Sequence, residues 1–246
     1  MLKSYFKPAW RNSVRNKVYT VINIAGLSIG LACCMLVILY NNDEVSYDRF
    51  HKNANNIYRI VHADTGPDGK VVGNNAVTGM MQGPTFKTDI PEIADFVRVH
   101  GFTIPVKVGA EIFLEEALFA DDNFFSVFSF PLKAGNKKDV LKGPHSVVLS
   151  EKMAKKFFGT SDVMGKTIEL QKPADHDAPA EAVFENYIVT GIVPESPQNS
   201  SIKIDMLFSM KRTEQETGGD TNWLNFFLNT FVVLNPNAGI KTVDRF

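Results

Sequence analysis

The sequence predicts an α+β protein: one N-terminal transmembrane helix followed by a mixed α/β, two-lobed outer domain. Three observations carry that expectation. Val18–Tyr40 is a continuous apolar run without Asp, Glu, Lys, Arg or His. No later stretch is comparably long and apolar. The roughly two hundred residues that follow interleave short strand-like and helix-like patterns, enough chain to bury a core.

The apolar run comes first because it places everything else. As a helix rising ~1.5 Å per residue it spans about 34 Å, enough to cross a ~30 Å hydrocarbon layer with some tilt. Its polar interruptions, Thr20, Asn23 and Ser28, are mild. It is longer than the apolar core of a secretory signal, and neither Cys33 nor Cys34 sits in a lipoprotein-type cleavage context, so an uncleaved anchor is expected. Gly26 and Gly30 form a GxxxG that Cys33 or Cys34 extends, and small residues at that spacing let helix backbones approach closely in lipid. These four residues are the candidate helix-packing face.

The flanks set the orientation. Residues 1–40 carry five basic residues and no acid, and the segment after Tyr40 is net acidic. Basic residues stay on the cytoplasmic side, so the N-terminus is expected inside and the chain after about residue 40 outside. In residues 1–17, Leu2, Tyr5, Phe6, Ala9, Trp10 and Val14 recur at helical spacing between Lys3, Lys7, Arg11 and Arg15. That pattern suits an amphipathic helix in the headgroup layer, although Pro8 would kink it. Trp10, Arg11, Arg15, Lys17, Tyr19 and Tyr40 are the candidate interface anchors.

The outer portion, residues 41–246, carries 21 bases and 27 acids, which gives no support to nucleic-acid binding. It contains no cysteine and so no disulfide framework. In order, Ile57–His62 reads as a strand and Thr65–Gly69 as a hairpin turn returning through Val71 and Val72. Thr78–Thr88 suggests a helix broken or started at Gly83–Pro84. Ala94–His100, Thr103–Val108 and Ile112–Ala120 read as strands. Asp121–Phe128 reads as a short helix capped by Asp121 or Asp122. Ser146–Leu149 is a strand, and Ser150 caps a helix that Gly159 ends. Gly165–Leu170 and Ala182–Val193 are strands on either side of a loop at Lys172–Glu181. Ile202–Met210 alternates, Lys211–Thr221 reads as a polar, mobile connection, and Phe231–Leu234 is a last strand.

No catalytic pattern emerges. The five histidines lack metal-ligand spacing, and Asp175–His176–Asp177 reads as a solvated loop. Ser150 with Lys155 is better explained by a helix cap than by a dyad. Walker, GxGxxG, GxSxG and HExxH patterns do not occur. The reading is a non-enzymatic module with no cofactor of its own.

Several stretches taken together resemble the MacB-like, FtsX-like permeases of ABC transporters. Residues 1–17 followed by INIAGLSIGLACC resemble the family's elbow helix and first membrane helix. DEVSYDRFHKNANNIYRI resembles the exit into its periplasmic core domain. DDNFFSVFSFPLKAGN, HSVVLSEKMAKKFFG, MGKTIEL, YIVTGIVPESPQNSSIKIDMLFS and TFVVLN follow in the family's order and spacing. The resemblance implies a cytoplasmic or interfacial elbow (1–17), a membrane helix (18–40) and a periplasmic core domain (41–246), with a porter-like lobe interrupted by a smaller inserted lobe near 121–198. It implies a bacterial inner-membrane location, a separate subunit that uses ATP, a dimeric permease, and a periplasmic membrane-fusion or other partner protein. Family permeases continue into about three further spans, so the chain is expected to be an N-terminal fragment or a truncated gene product. The alternative of another class is a single-pass, membrane-anchored sensor or interaction domain.

Overall fold

The computed structural model describes residues 8, 10–12, 14–172, 183–216, 218–236 and 238. The chain divides into two compact units, residues 1–47 and 48–246.

In the first unit, helix α1 (Lys17–Glu44) runs 28 residues and buries none of them. Its mean hydropathy reaches 2.4 over its most apolar window, so it is long and apolar enough to cross a membrane. It continues four residues beyond Tyr40, and it closes with the Val45 amide donating to the Asn41 carbonyl and the Ser46 amide to the Asp43 carbonyl. Residues 8, 10–12 and 14–15 are also helical. The rest of the proposed interfacial pattern, Leu2 to Phe6 and Ala9, lies outside the described residues.

The second unit is mixed α/β and built on one eight-stranded sheet. Its strands are β1 (Ile57–Arg59), β4 (Ile93–Val108), β5 (Glu111–Ala120), β6 (Ser146–Ser150), β7 (Thr167–Gln171), β8 (Phe184–Val193), β9 (Met206–Ser209) and β10 (Asn229–Leu234), in the order β1-β10-β4-β5-β9-β6-β8-β7. A separate hairpin joins β2 (His62–Thr65) to β3 (Val71–Asn75) through a turn with Gly69 at φ 74°. That positive φ is the position a glycine suits.

The sheet closes on itself. β4 pairs with β10 over its first half, while further along Val106 and Lys107 meet Leu170 and Glu169 of β7. β4, β5, β9, β6, β8 and β7 therefore form a six-stranded barrel, and Lys107 bridges Glu169 across its seam at 2.9 Å. This explains a departure from the sequence reading. The two strands expected at 94–100 and 103–108 are one 16-residue strand, because β5 pairs with it without a break from Val99 to Val108 and keeps it extended through Gly101 and Pro105.

Alternation sorts the core. Ala117, Phe119, Val147, Leu149, Met206 and Phe208 fill one apolar cluster. Their neighbours Ala120, Val148 and Leu207 fill a second with Phe124, Phe125, Phe128 and Phe130. Both clusters draw on residues within 121–198 and on residues outside that range. Helix α2 (Gln82–Asp89) covers a third, smaller cluster containing Ile90, Ile93, Val232 and Leu234. The remaining helices are α3 (Phe124–Val127), α4 (Glu151–Phe158) and α5 (Lys211–Glu216). Ser150 caps α4 by accepting from the Met153 amide at 3.2 Å, and Gly159 ends it in the left-handed region, both as expected.

Two local expectations are corrected. The residue before α3 is Asn123 without a side-chain cap, because Asp121 is taken by Arg98. Lys211–Glu216 is a helix rather than a polar connection: Arg212 and Thr213 are buried and Glu214 is tied to Arg98.

His51 makes the second unit sensitive to acid. Its ring is buried against Phe50, Phe128 and Phe130, and Nδ1 accepts the Ser129 amide at 3.0 Å. Burial pushes its pKa below the ordinary value, only partly offset by Asp48. Burial likewise lowers His100, against a backbone hydrogen bond involving Phe227. The folded state thus binds fewer protons than the unfolded one. Stability from these groups is complete above an unfolded pKa of about 6.5 and is lost as pH falls through the lower folded values. The melting temperature should therefore drop as pH falls below about 6.5, and His51→Asn, which keeps an acceptor, should flatten that drop. An unchanged slope in the variant would contradict the assignment.

Candidate binding cleft

A cleft of about 670 Å³ opens in the second unit. Its floor is Val232, Leu234, Ile90 and Ile93, the small cluster under α2. One side is the run Tyr58–Ala63, which leaves β1 and enters β2. The other side is Phe86 of α2 with Trp223, Leu224 and Phe226 from the segment after α5.

That segment is strapped in place by polar contacts. The Gln82 side chain accepts the Gly79 amide and donates to the Trp223 carbonyl, each at 2.8 Å. Thr78 exchanges backbone bonds with Leu228 at 2.6 and 3.0 Å, and its hydroxyl lies 2.7 Å from that of Thr230. At the other end of the strap, Glu214 reaches Arg98 at 2.5 Å. Gly218 and Gly219, both at positive φ, turn the chain between those anchors. Trp223 and Leu224 stay substantially exposed although they wall an apolar cleft.

Gly79 is needed where the strap crosses. A Cβ there would lie 2.6 Å from the Asn225 carbonyl oxygen. Gly79→Ala should cost about 1–3 kcal/mol and lift the strap, read as faster amide exchange at 223–228 than at β6. Equal protection in wild type and variant would count against that fit.

The polar groups at the rim are few. Arg59 donates to the Ala76 carbonyl at 3.3 Å and to the Asn229 side-chain oxygen. His62 Nε2 lies 3.1 Å from Asp64, and its ring meets Phe226 at a tilt with centroids 4.8 Å apart. Such a cleft offers apolar burial with a cationic edge. It does not offer a nucleophile beside a base.

Among the described residues, no group of three or more His, Cys, Asp or Glu gathers as a metal site would need. His145 sits 3.5 Å from Glu185, and His100 lies between Phe102 and Phe227, so the described histidines are dispersed. Asp175–His176–Asp177 lies outside the described residues. The Ser150 hydroxyl is occupied as a helix cap.

The sequence-derived candidates lie in the first unit. Gly26, Gly30, Cys33 and Cys34 are exposed on α1, spaced to share one side, and a Cβ at either glycine would meet open space. All six anchor candidates are exposed: Trp10, Arg11 and Arg15 precede α1, Lys17 and Tyr19 lie in its first turn, and Tyr40 lies four residues inside its far end. The cleft residues were missed by sequence reading. The available signal was the aromatic run Trp223–Phe227 inside a polar, glycine-containing stretch.

A family model described as the MacB-like periplasmic core domain matches residues 20–245. No curated protein matches the chain. Among solved structures, a domain of a protein described as a permease from Porphyromonas gingivalis is similar at 23% identity and TM-score 0.62, covering 79% of each chain. The periplasmic region of MacB from Actinobacillus actinomycetemcomitans is similar at 15% identity and TM-score 0.51, covering 77% of this chain and 79% of that one. The extracellular domain of the noncanonic ABC-type transporter YknZ from Gram-positive bacteria is similar at 15% identity and TM-score 0.52, covering 76% and 88%. At these identities the structural likeness speaks to the fold.

Proposed function

This chain belongs to the MacB-like periplasmic core domain family, and from that premise we propose that it is the N-terminal portion of an ABC-transporter permease subunit. The carrying observation is the extent of the family match, which begins inside α1 and runs through β10. The chain is membrane-anchored by α1. In this reading the anchor lies in the bacterial inner membrane with the N-terminus in the cytoplasm, as the basic residues before Val18 favour. ATP is used by a separate subunit, and this chain contributes no catalytic group and no cofactor. The permease acts as a dimer, and the outer domain engages a substrate or a periplasmic partner and passes on motion from the membrane.

Within that reading, Trp10, Arg11, Arg15, Lys17, Tyr19 and Tyr40 anchor the helix ends at the two interfaces. Gly26, Gly30, Cys33 and Cys34 form the face on which other membrane helices pack. The placement of these small residues at spacings of three and four along α1 supports this role, since an apolar helix in lipid gains partners through close backbone approach.

The test is co-expression with an ATP-binding subunit of this transporter class from the same genome. Recovery of both in one detergent-solubilised complex, with ATP hydrolysis altered by the permease chain, is the expected result. Separate elution with unchanged hydrolysis would sink the proposal. Gly30→Leu should reduce co-purification about tenfold while carbonate-resistant membrane insertion is unchanged. Full recovery of the complex in that variant would rule out the packing face.

A further inference from the structure

We propose that Asp48–Lys52 is a clasp that fastens the chain arriving from the first unit to two barrel loops, so that motion entering along the chain reaches the barrel without passing through β1. The inference rests on the reading of the outer domain as a relay of motion, and its test reads the clasp alone. Without a fastening the route into the sheet is weak. Beyond Lys52 the chain runs through the short turn Ala54–Asn56 into β1, a three-residue strand that pairs with β10. So few rungs, each a modest hydrogen bond, carry little tension.

Asp48 makes the first fastening. Its amide donates to the Asn199 carbonyl at 2.9 Å. Its Oδ1 accepts the Ser201 amide at 2.9 Å and lies 3.4 Å from the Ser200 hydroxyl. Main chain and side chain thus grip one loop, the connection from β8 to β9. That loop is itself braced. Ser196 Oγ accepts the Ile204 amide at 2.9 Å, Lys203 donates to the Pro197 and Gln198 carbonyls, and Ile202 and Ile204 are buried in the second apolar cluster. β9 lies between β5 and β6, and β8 between β6 and β7, so the grip bears on strands that are paired on both sides.

His51 and Lys52 make the second fastening, on the loop after α3. His51 Nδ1 accepts the Ser129 amide at 3.0 Å, and Ser129 Oγ accepts the Lys52 amide at 2.9 Å, a reciprocal pair. The backbone at Asp48 marks the clasp as a built feature. With φ 57°, Asp48 is the only non-glycine residue at positive φ among the described residues. L side chains avoid that region, Asp less than most, and the conformation persists where surrounding contacts hold it. The side-chain contacts that hold it reach 77 to 153 residues along the chain. A turn that only reversed the chain would need none of them.

The experiment holds single full-length chains in nanodiscs at constant force between azide-bearing residues introduced at positions 47 and 116, both exposed. Position 116 lies on β5, which is paired with β4. The first event expected is release of residues 48–56, a gain of up to about 3 nm, before β1 or the barrel yields. Asp48→Gly keeps the backbone conformation but removes the carboxylate, and should shorten the lifetime of the clasped state about tenfold. Asp48→Asn keeps an acceptor and tolerates the conformation, and should stay within about twofold of wild type. Ser129→Ala should shorten the lifetime about fivefold through the second fastening. The later barrel rupture serves as the internal control and should be unchanged in all three variants. A wild-type trace whose first event already includes β1 would overturn the proposal. So would an Asp48→Gly lifetime equal to wild type, which would leave a turn without a fastening. A weakened barrel rupture in Asp48→Gly would make Asp48 a residue of the fold at large and overturn it equally. The measurement involves no ATP-binding subunit, so a failed clasp leaves the permease reading standing.

Discussion

Asp121→Ala is expected to lower unfolding stability by about 3–5 kcal/mol, one of the two largest single-residue effects in the molecule. Arg98 is 5% exposed, and its guanidinium meets Asp121 at 2.7 Å through Nη2 and 3.1 Å through Nε. Asp121 also accepts the Arg98 backbone amide at 2.7 Å. Burial works against the arginine's charge, yet the hydrogen bonds and charge of Asp121, then of Glu214, outweigh it and hold its pKa above the ordinary value. Removing Asp121 leaves a buried cation facing one half-exposed partner, and the cost of that desolvated charge sets the size of the effect. Glu214→Gln removes the more exposed partner and should cost about 1 kcal/mol or less. Thermal unfolding of the three proteins in the same detergent gives the comparison. Similar losses for both variants would show that Arg98 is satisfied by the strap rather than by Asp121.

Phe119→Ala should cost a similar ~3–5 kcal/mol by a different route. Phe119 is 1% exposed and lies in the barrel's apolar cluster. Its ring stacks on Phe208 with centroids 5.2 Å apart, and Phe208 meets Tyr187 edge-on at 5.1 Å. The guanidinium carbon of Arg212, itself buried, lies 5.6 Å from the Phe119 ring and 5.7 Å from that of Tyr187. Truncation would open a cavity that closed strands cannot collapse to fill, and it would strip Arg212 of one of its two ring faces. Phe119→Leu, which keeps most of the volume, should cost about half as much. If alanine and leucine lose equally, the ring stack rather than the volume carries the stability.

Local patterns made much of this architecture legible before any coordinates. The apolar run became α1, Ser150 and Gly159 bounded α4, and the Gly-Pro-Asp-Gly turn joined β2 to β3. Each of these is decided by residues close in sequence. What could not be read depends on distant partners. β4 is continuous because β10 pairs along its first part and β5 pairs with it unbroken from Val99 to Val108. α5 forms in a polar stretch because Arg212 finds aromatic rings and Glu214 finds Arg98. Asp121 was read as a cap, an expectation with nothing local against it, until Arg98, 23 residues away, claimed its carboxylate. The cleft was invisible for the same reason, since its two sides lie far apart along the chain, at Tyr58–Ala63 and Trp223–Phe226.

The pairing of β1 with β10 has a mechanical consequence. Ile57, where the chain enters the sheet, stands opposite Val233, where it leaves. Tension that draws those two points apart loads the rungs at one end first, so the strands peel like a zipper and yield at low force. Displacing both points together loads no rung and carries the barrel as a rigid body. The second unit is thus stiff toward concerted displacement of its two attachment points and weak toward their separation. A pulling experiment with handles at residues 57 and 233 should show early, stepwise release of β1 before the barrel yields.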